Sequence, residues 1–201
     1  MISYQLMPYQ ELLRVCKESP DNKDALETLN ALMRFECSRS QSVQSFVANK
    51  VEAIEESNEG RTYLLVCKEP DGSVEVAGFF ELCLTSIDFG KMSGKKQKQF
   101  KGPYTHLRDN HAGGYCIGEL GRSDKYSKSE LPGKVILKEA RSLIGCSQNV
   151  VGGRYALIDA RREVFENLYR SAGFKEVATT NVPTEGDMDI VVGVAKISTW
   201  E

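Results

Sequence analysis

The sequence is poor in histidine: His106 and His111 are the only two among 201 residues. That all but excludes a histidine-rich metal centre, and no metal is expected. The six cysteines, Cys16, Cys37, Cys67, Cys83, Cys116 and Cys146, never come closer than sixteen positions, so no CxxC pair exists for zinc or thiol–disulfide exchange. A chain of this length builds its own core without disulfide staples, and buried free thiols are the expected state. No apolar run approaches the ~18 residues that span a bilayer. The start, MISYQLMPYQELLR, has neither the basic opening nor the apolar centre of an export signal. A cytoplasmic location with no membrane partner is the expectation. A strong excess of one charge is missing too: 26 basic against 28 acidic side chains leave −2. Nothing global therefore asks for a nucleic acid.

What is present alternates between two periods. Ile2, Tyr4 and Leu6 alternate as in a strand, and Pro8 opens a helical pattern through Leu12, Leu13 and Cys16, stopped by Ser19-Pro20. After an Asp21-Asn22 cap, Leu26, Leu29, Met33 and Cys37 predict one helix face. Val43, Phe46, Val47, Val51 and Ile54 predict a single further helix from about Ser40. Thr62–Lys68 (TYLLVCK), the turn Pro70-Asp71-Gly72 and the long run Val74–Asp88 read as a hairpin whose outer arm needs a bend or bulge. Phe89–Arg108 then holds five lysines, one arginine and no acid, +6 in a chain of −2 overall. A basic loop insertion at about 89–112 is expected, either a solvated loop or, over 91–108, a contact for an anionic ligand.

The second half alternates strand and helix. Gly114–Arg122 is a strand, and Pro132-Gly133 opens a helix with Val135, Ile136, Ala140, Leu143 and Ile144 inward. Tyr155–Asp159 is a short buried strand entered by a Gly152-Gly153 turn. Arg161–Ala172 is a helix closed by Gly173, and Phe174–Thr179 and Ile190–Ile197 are the last strands. No linker or repeat divides the series. One α/β domain over 1–201 is the reading, with a mixed twisted sheet of six or seven strands and helices on both faces. The helix start at Leu131-Pro132-Gly133-Lys134 is a candidate anion site, because its first amides lack internal partners and the helix dipole adds to them; Lys128 and Lys134 flank it.

The block from Gly114 to Phe174 resembles the GCN5-related N-acetyltransferase family. The resemblance is carried by YRSAGF (Tyr169–Phe174), similar to the family's Tyr-x-x-x-Gly-Phe, and by YALIDA with the helix after it. GELGRSDKY (Gly118–Tyr126) stands where the family's fourth strand and cofactor loop belong, and the element order agrees along nearly the whole chain. GGRY (Gly152–Tyr155) with YRSAGF is similar to a bacterial subgroup of small acetyltransferases of undefined substrate. The family's loop, Arg/Gln-x-x-Gly-x-Gly/Ala, is matched by KSELPG: Lys128 is at the basic position, Leu131 replaces the first glycine, and Gly133 is kept. Arg162 stands where the family often has asparagine.

The resemblance implies a three-layer fold, acetyl-CoA as co-substrate, and transfer of acetyl to a primary amine by direct attack on the thioester. Leu120, Gly121, Arg122, Lys128, Leu131, Pro132, Gly133, Lys134 and Val135 would then hold the cofactor, with an oxyanion donor among the amides of Leu120–Arg122. Glu119 is the candidate base and Tyr169 the candidate acid that protonates the leaving thiolate. Their structural alternatives are an ion pair of Glu119 with Arg122 or a loop lysine, and a core tyrosine. Cys116 reads as a structural thiol, His106 and His111 as surface groups, and Arg154, Arg161 and Arg162 as phosphate contacts or salt bridges. The acceptor is a small-molecule or peptide amine. Two other classes stay open: a non-catalytic CoA-binding module, and a toxin-type enzyme acting on aminoacyl-tRNA through Lys91–Lys101. A homodimer also stays open.

Overall fold

The computed structural model describes Met1–Lys101, Asn110–Val182 and Met188–Trp200. In chain order the elements are β1 (Gln5–Pro8), α1 (Tyr9–Glu18), α2 (Lys23–Met33), α3 (Gln41–Asn49), α4 (Val51–Ser57), β2 (Gly60–Lys68) and β3 (Val74–Asp88). Then come α5 (Gly94–Lys101), β4 (His111–Arg122), α6 (Gly133–Val151), β5 (Tyr155–Arg161), α7 (Arg162–Val164), β6 (Lys175–Val182) and β7 (Met188–Lys196). The seven strands follow the order β1-β2-β3-β4-β5-β7-β6. Only β4 and β5 pair in parallel among the registered ladders, so the sheet is mixed. Two compact units are formed, Met1–Cys83 with Gly118–Ala140, and Leu84–Ile117 with Arg141–Glu201.

In the first unit, Asp71 explains the hairpin turn. Its carboxylate accepts from the Ser73 amide and hydroxyl, while Gly72 takes φ +87°. Further along, Leu65 pairs with Gly78 but Val66 pairs with Val76. The skipped Ala77 is the bulge expected in the long arm, and it reverses which side chains of β3 face the helices. Val74 and Val76 before it, and Phe79 after it, therefore all join one core with Leu64 and Val66 of β2 and Val43, Phe46, Val47 and Val51 of α3 and α4. Phe79 stacks on Phe46 and meets Phe35 edge-on. Gly78 faces the other way. A Cβ there would come 3.0 Å from Ile136 of α6 and 2.9 Å from the Gly121 carbonyl, so glycine lets α6 and β4 approach this closely.

Two expectations fail in this unit. The buried face of α2 is Ala25, Thr28, Ala31 and Leu32, whereas Leu26 is 41% and Met33 76% exposed. Of the expected row, Leu29 is partly buried against the core and Cys37 is buried beyond the helix, while Leu26 and Met33 lie toward solvent. The single helix expected over Ser40–Ile54 is two, because Lys50 leaves helical geometry at φ −124°. The break lets Val43, Phe46 and Val47 on one piece and Val51 on the next reach the same core.

The second unit is built on β5. Gly114–Ile117 runs parallel to Tyr155–Ile158, and β7 lies antiparallel to both β5 and β6. At Gly114 a Cβ would sit 2.6 Å from the Tyr155 carbonyl oxygen, which accounts for the glycine. Part of the basic stretch is helix rather than loop. In α5, Phe100 is buried with Phe89, Ile87 and Tyr155. The Tyr155 hydroxyl donates to the Phe100 carbonyl (2.7 Å) and Arg154 to that of Lys101 (2.9 Å), so the last two carbonyls of α5 are paired. One aromatic among lysines is enough to dock this turn of chain. Residues 102–109, with His106 and Arg108, lie outside the described residues.

The helix expected over Arg161–Ala172 is only α7 followed by a π-helical turn, Phe165–Tyr169. The Arg170 amide reaches back five residues to the Phe165 carbonyl (2.8 Å). The chain then closes in a Schellman motif. Phe174 N donates to Tyr169 O (3.1 Å), Gly173 N to Arg170 O (3.1 Å), and Gly173 has φ +91°. The Tyr169 and Phe174 rings meet edge-to-face at 5.5 Å, the apolar contact this cap favours. Tyr-x-x-x-Gly-Phe is thus a complete capping unit.

Gly173→Ala keeps the space open but puts a Cβ on left-handed backbone. It is expected to cost about 1–2 kcal/mol, read as a fall of about 2–8 °C in a circular-dichroism melt.

Candidate functional site

Within the first unit, the end of β4 runs into the loop before α6, and ten of the eleven sequence-predicted site residues lie on this segment. Gly118 and Gly121 both face the side of β3 that carries Glu81 and Phe79. A Cβ at Gly118 would overlap Glu81 Oε2, and one at Gly121 would sit 2.5 Å from Val43 and 3.0 Å from Phe79. Three residues of β4 thus span what two residues of β3 span. An odd spacing between same-face residues requires one extra residue, so β4 is bulged at Glu119–Leu120. The bulge takes Glu119 and Leu120 out of regular alternation, which is where backbone amides are released from a ladder.

Glu119 is half-buried, and its carboxyl is pushed up to about 7. Desolvation is the main cause; Glu81 adds to it, while Lys50 and a hydrogen bond with Ser42 oppose it. The alternative pairing with Arg122 is not formed. Arg122 points to the loop, where its guanidinium donates to the Leu131 carbonyl (3.0 Å).

That contact is one of three that pin the loop. Ile2 N donates to Glu130 O (3.1 Å), and Ser127–Glu130 form a closed turn in which the Glu130 carboxylate accepts the Ser127 amide (2.8 Å) and hydroxyl (2.7 Å). Leu131 N donates to Ser127 O and Val135 N to Pro132 O. The Leu131 side chain is buried over Gly78, so a residue standing where the family has glycine serves the core. Pro132 has no amide proton, which leaves the amides of Gly133 and Lys134 to open the helix. Lys128 and Lys134 are exposed beside them. An anion placed there meets two directed N–H groups, the positive end of a nineteen-residue helix and two mobile ammonium groups.

Tyr169 belongs to the second unit, where it is buried in the Schellman cap. Other residues take structural work. Arg162 pairs with Glu176 (2.7 Å), which holds that carboxyl at about 2, and Arg154 lies over the Tyr155 ring. None of the six cysteines is in a disulfide; Cys37 and Cys67 are buried, Cys16, Cys83 and Cys116 are half-buried and Cys146 is exposed, so the expectation of buried thiols is corrected for four of them. Sequence reasoning missed Glu81, 5% exposed on β3. A lone glutamate in an apolar strand (GFFELCL) was the available signal. Among the described residues, no three His, Cys, Asp or Glu side chains are grouped to hold a metal, and no helix is long and apolar enough to cross a membrane.

No protein-family model matches the sequence, and no curated protein does. Solved structures do. A tyrosine-to-phenylalanine variant of KacT aligns at 16% identity over 88% of this chain and 92% of its own, with a TM-score of 0.65. AtaTR bound with acetyl-CoA aligns at 14% identity over 98% and 94%, TM-score 0.61. AtaT complexed with acetyl-methionyl-tRNA aligns at 18% over 80% and 85%, TM-score 0.56. The chain has the GCN5-related N-acetyltransferase fold of these proteins.

A carboxyl raised from 4.5 to about 7 binds more proton in the folded than in the unfolded chain across that window. Its contribution to stability therefore falls as pH rises through it. Glu119→Gln, which cannot ionise, is expected to melt at least ~2 °C higher than the parent at pH 8 and nearly equal to it at pH 5.

Proposed function

We propose that the protein is an acetyl-CoA-dependent N-acetyltransferase whose acceptor is an α-amine, with the bulged strand carrying Glu119 as the observation on which the reading rests. The fold neighbours include a protein bound with acetyl-CoA, and the α6 start offers an anion site for a cofactor pyrophosphate. There the amides of Gly133 and Lys134 bind first and Lys128 and Lys134 second. Pro132 and Val135 shape that turn. Arg122 and Leu131 hold the loop in place, and Leu120 and Gly121 set the bulge.

The acceptor arrives as an ammonium ion and must lose a proton before it attacks. Glu119, ionised above about pH 7, takes that proton. The nitrogen lone pair forms a bond to the thioester carbonyl carbon, and an amide among Leu120–Arg122 receives the oxygen's developing charge. The C–S bond then breaks, and the thiolate takes its proton from the Tyr169 hydroxyl, which is recharged from solvent. A base near 7 is matched to an α-ammonium of pKa ~7.7–8.0. Deprotonating a lysine side chain at ~10.4 would be uphill by more than ~3 units.

Among α-amines the reading favours one carried on a nucleic acid. Lys95 and Lys98 are exposed on α5 with no acid on that helix, and AtaT is a fold neighbour complexed with acetyl-methionyl-tRNA. A small-molecule or peptide amine, and a CoA-binding module without turnover, are the competing readings. Transfer of labelled acetyl from acetyl-CoA to methionyl-tRNA, to methionine amide and to a lysine peptide separates the three. Turnover of the tRNA that falls steeply with salt supports the reading, and no turnover of any amine leaves the binding module.

Acetyl-CoA at about 100 times its dissociation constant is expected to stabilise the protein by ~2.7 kcal/mol. Gly133→Asp, which brings a charge against the pyrophosphate, should reduce the accompanying melting shift at least by half at the same cofactor concentration. Tyr169→Phe keeps the Schellman contact with Phe174 and is expected to change stability by no more than ~1.5 kcal/mol. It should lower kcat at least ~30-fold with KM for acetyl-CoA nearly unchanged. Turnover within threefold of the parent would return Tyr169 to the cap alone.

A further inference from the structure

The loop that leads into α6 is reached from the other end of the first unit's chain. Ile2 and Tyr4, just ahead of β1, each make a polar contact with the loop or the helix. The Ile2 amide donates to Glu130 O (3.1 Å), one residue before the buried Leu131. The Tyr4 hydroxyl donates to Glu139 Oε1 (2.8 Å) on α6. Glu139 stands one helical turn beyond Val135, on the same side of the helix. The two contacts therefore bracket Leu131–Val135, the stretch that opens α6. Tyr4 and Glu139 are both half-buried. Burial first, and the bond to Glu139 second, push the Tyr4 phenol up to about 12, so near neutral pH it remains the donor. Close packing does little to hold this segment. Ser3–Pro8, with Leu12 and Val15 of α1 and Ala25 of α2, line a cavity of about 640 Å³, and Ser3 and Gln5 are exposed.

We propose that Ile2–Tyr4 is a strap over the acetyl-CoA site and that Tyr4 is its positioning residue, holding α6 and the loop before it in the arrangement that binds the cofactor. The inference rests on the reading that the α6 start takes the cofactor pyrophosphate. Tyr4 acts through Glu139 and the helix, and Ile2 acts through the Glu130 carbonyl. A phenol–carboxylate bond is charge-assisted and directional, so it fixes the strap against the first turns of α6. With the strap seated, the loop loses less freedom when the cofactor arrives. Coupling between strap and site is reciprocal, so bound cofactor holds the strap down by the same factor. Without the Tyr4 bond the loop keeps the Arg122 contact with Leu131 O (3.0 Å) and its own Ser127–Glu130 turn. Release of the strap therefore loosens the site without dismantling it, and the effect on affinity is graded.

The test compares the parent with Tyr4→Phe, Glu139→Ala and the double variant by two measurements. The first is amide hydrogen exchange in the free protein, read at Leu131 and Val135, whose amides bond to Ser127 O and Pro132 O. Either single variant is expected to exchange there about 3- to 10-fold faster, with Phe79 in the core of β3 unchanged. The double variant should match the single ones, because both remove the same bond. The second measurement is calorimetric titration with CoA, whose dissociation constant should rise about 3- to 10-fold in each variant. Unchanged exchange at Leu131 and Val135 in folded Tyr4→Phe overturns the inference, and Glu139→Ala decides in the same way should Tyr4→Phe not fold. Faster exchange that extends to Phe79, or an unchanged dissociation constant in a folded variant, also overturns it, since a merely structural bond behaves so. Faster exchange confined to the loop of a protein that binds no CoA, even as the parent, upholds the strap and removes the proposed function instead.

Discussion

The close approach of β3 and β4 in the first unit is the constraint on which the site depends. Gly78, Gly118 and Gly121 each stand where any Cβ would meet backbone, core or carboxylate, and all three clashes lie on this one pair of strands. β3 is bulged at Ala77, opposite Ser123, and β4 at Glu119–Leu120, between the residues that face Glu81 and Phe79. The first bulge keeps the apolar residues of β3 in one core. The second brings a glutamate out of alternation beside a loop that leads into the long helix α6. The glycines therefore matter less for their own flexibility than for the groups they admit.

The loop between β4 and α6 gains its shape from contacts that have nothing to do with a ligand. Arg122, Ile2 and the Ser127–Glu130 turn each tie down part of it, and Leu131 fills the space over Gly78. Leucine at that point serves the core, and α6 opens with Gly133 and Lys134 behind it.

The second unit shows the same economy in Tyr169–Phe174. A Schellman cap requires a residue tolerant of positive φ and favours an apolar pair around it, and the motif supplies Gly173, Tyr169 and Phe174 for those places. The tyrosine meets that demand with its ring, edge-on to Phe174.

The sequence by itself determined the order of the seven strands, the hairpin with its bulged long arm, the helix start at Pro132-Gly133 and the Gly173 stop, because these follow from short-range rules of spacing, turn chemistry and capping. It offered Glu119, as a lone carboxylate on a central strand, and Tyr169, through motif resemblance, as candidates. Tertiary structure decided the rest. Which face of α2 is buried depended on how near its neighbours come, so Ala25 and Ala31 outranked Leu26 and Met33. Whether the lysine-rich stretch could form a helix depended on Tyr155 and Arg154, over fifty residues away, meeting its carbonyls. Glu81 and Gly118 are 37 positions apart on different strands, and the Glu81 carboxylate meets the Gly118 amide, next to Glu119, only because β3 and β4 lie side by side. Proton affinity is set by burial and by neighbouring charge, and neither is a property of a residue's place along the chain.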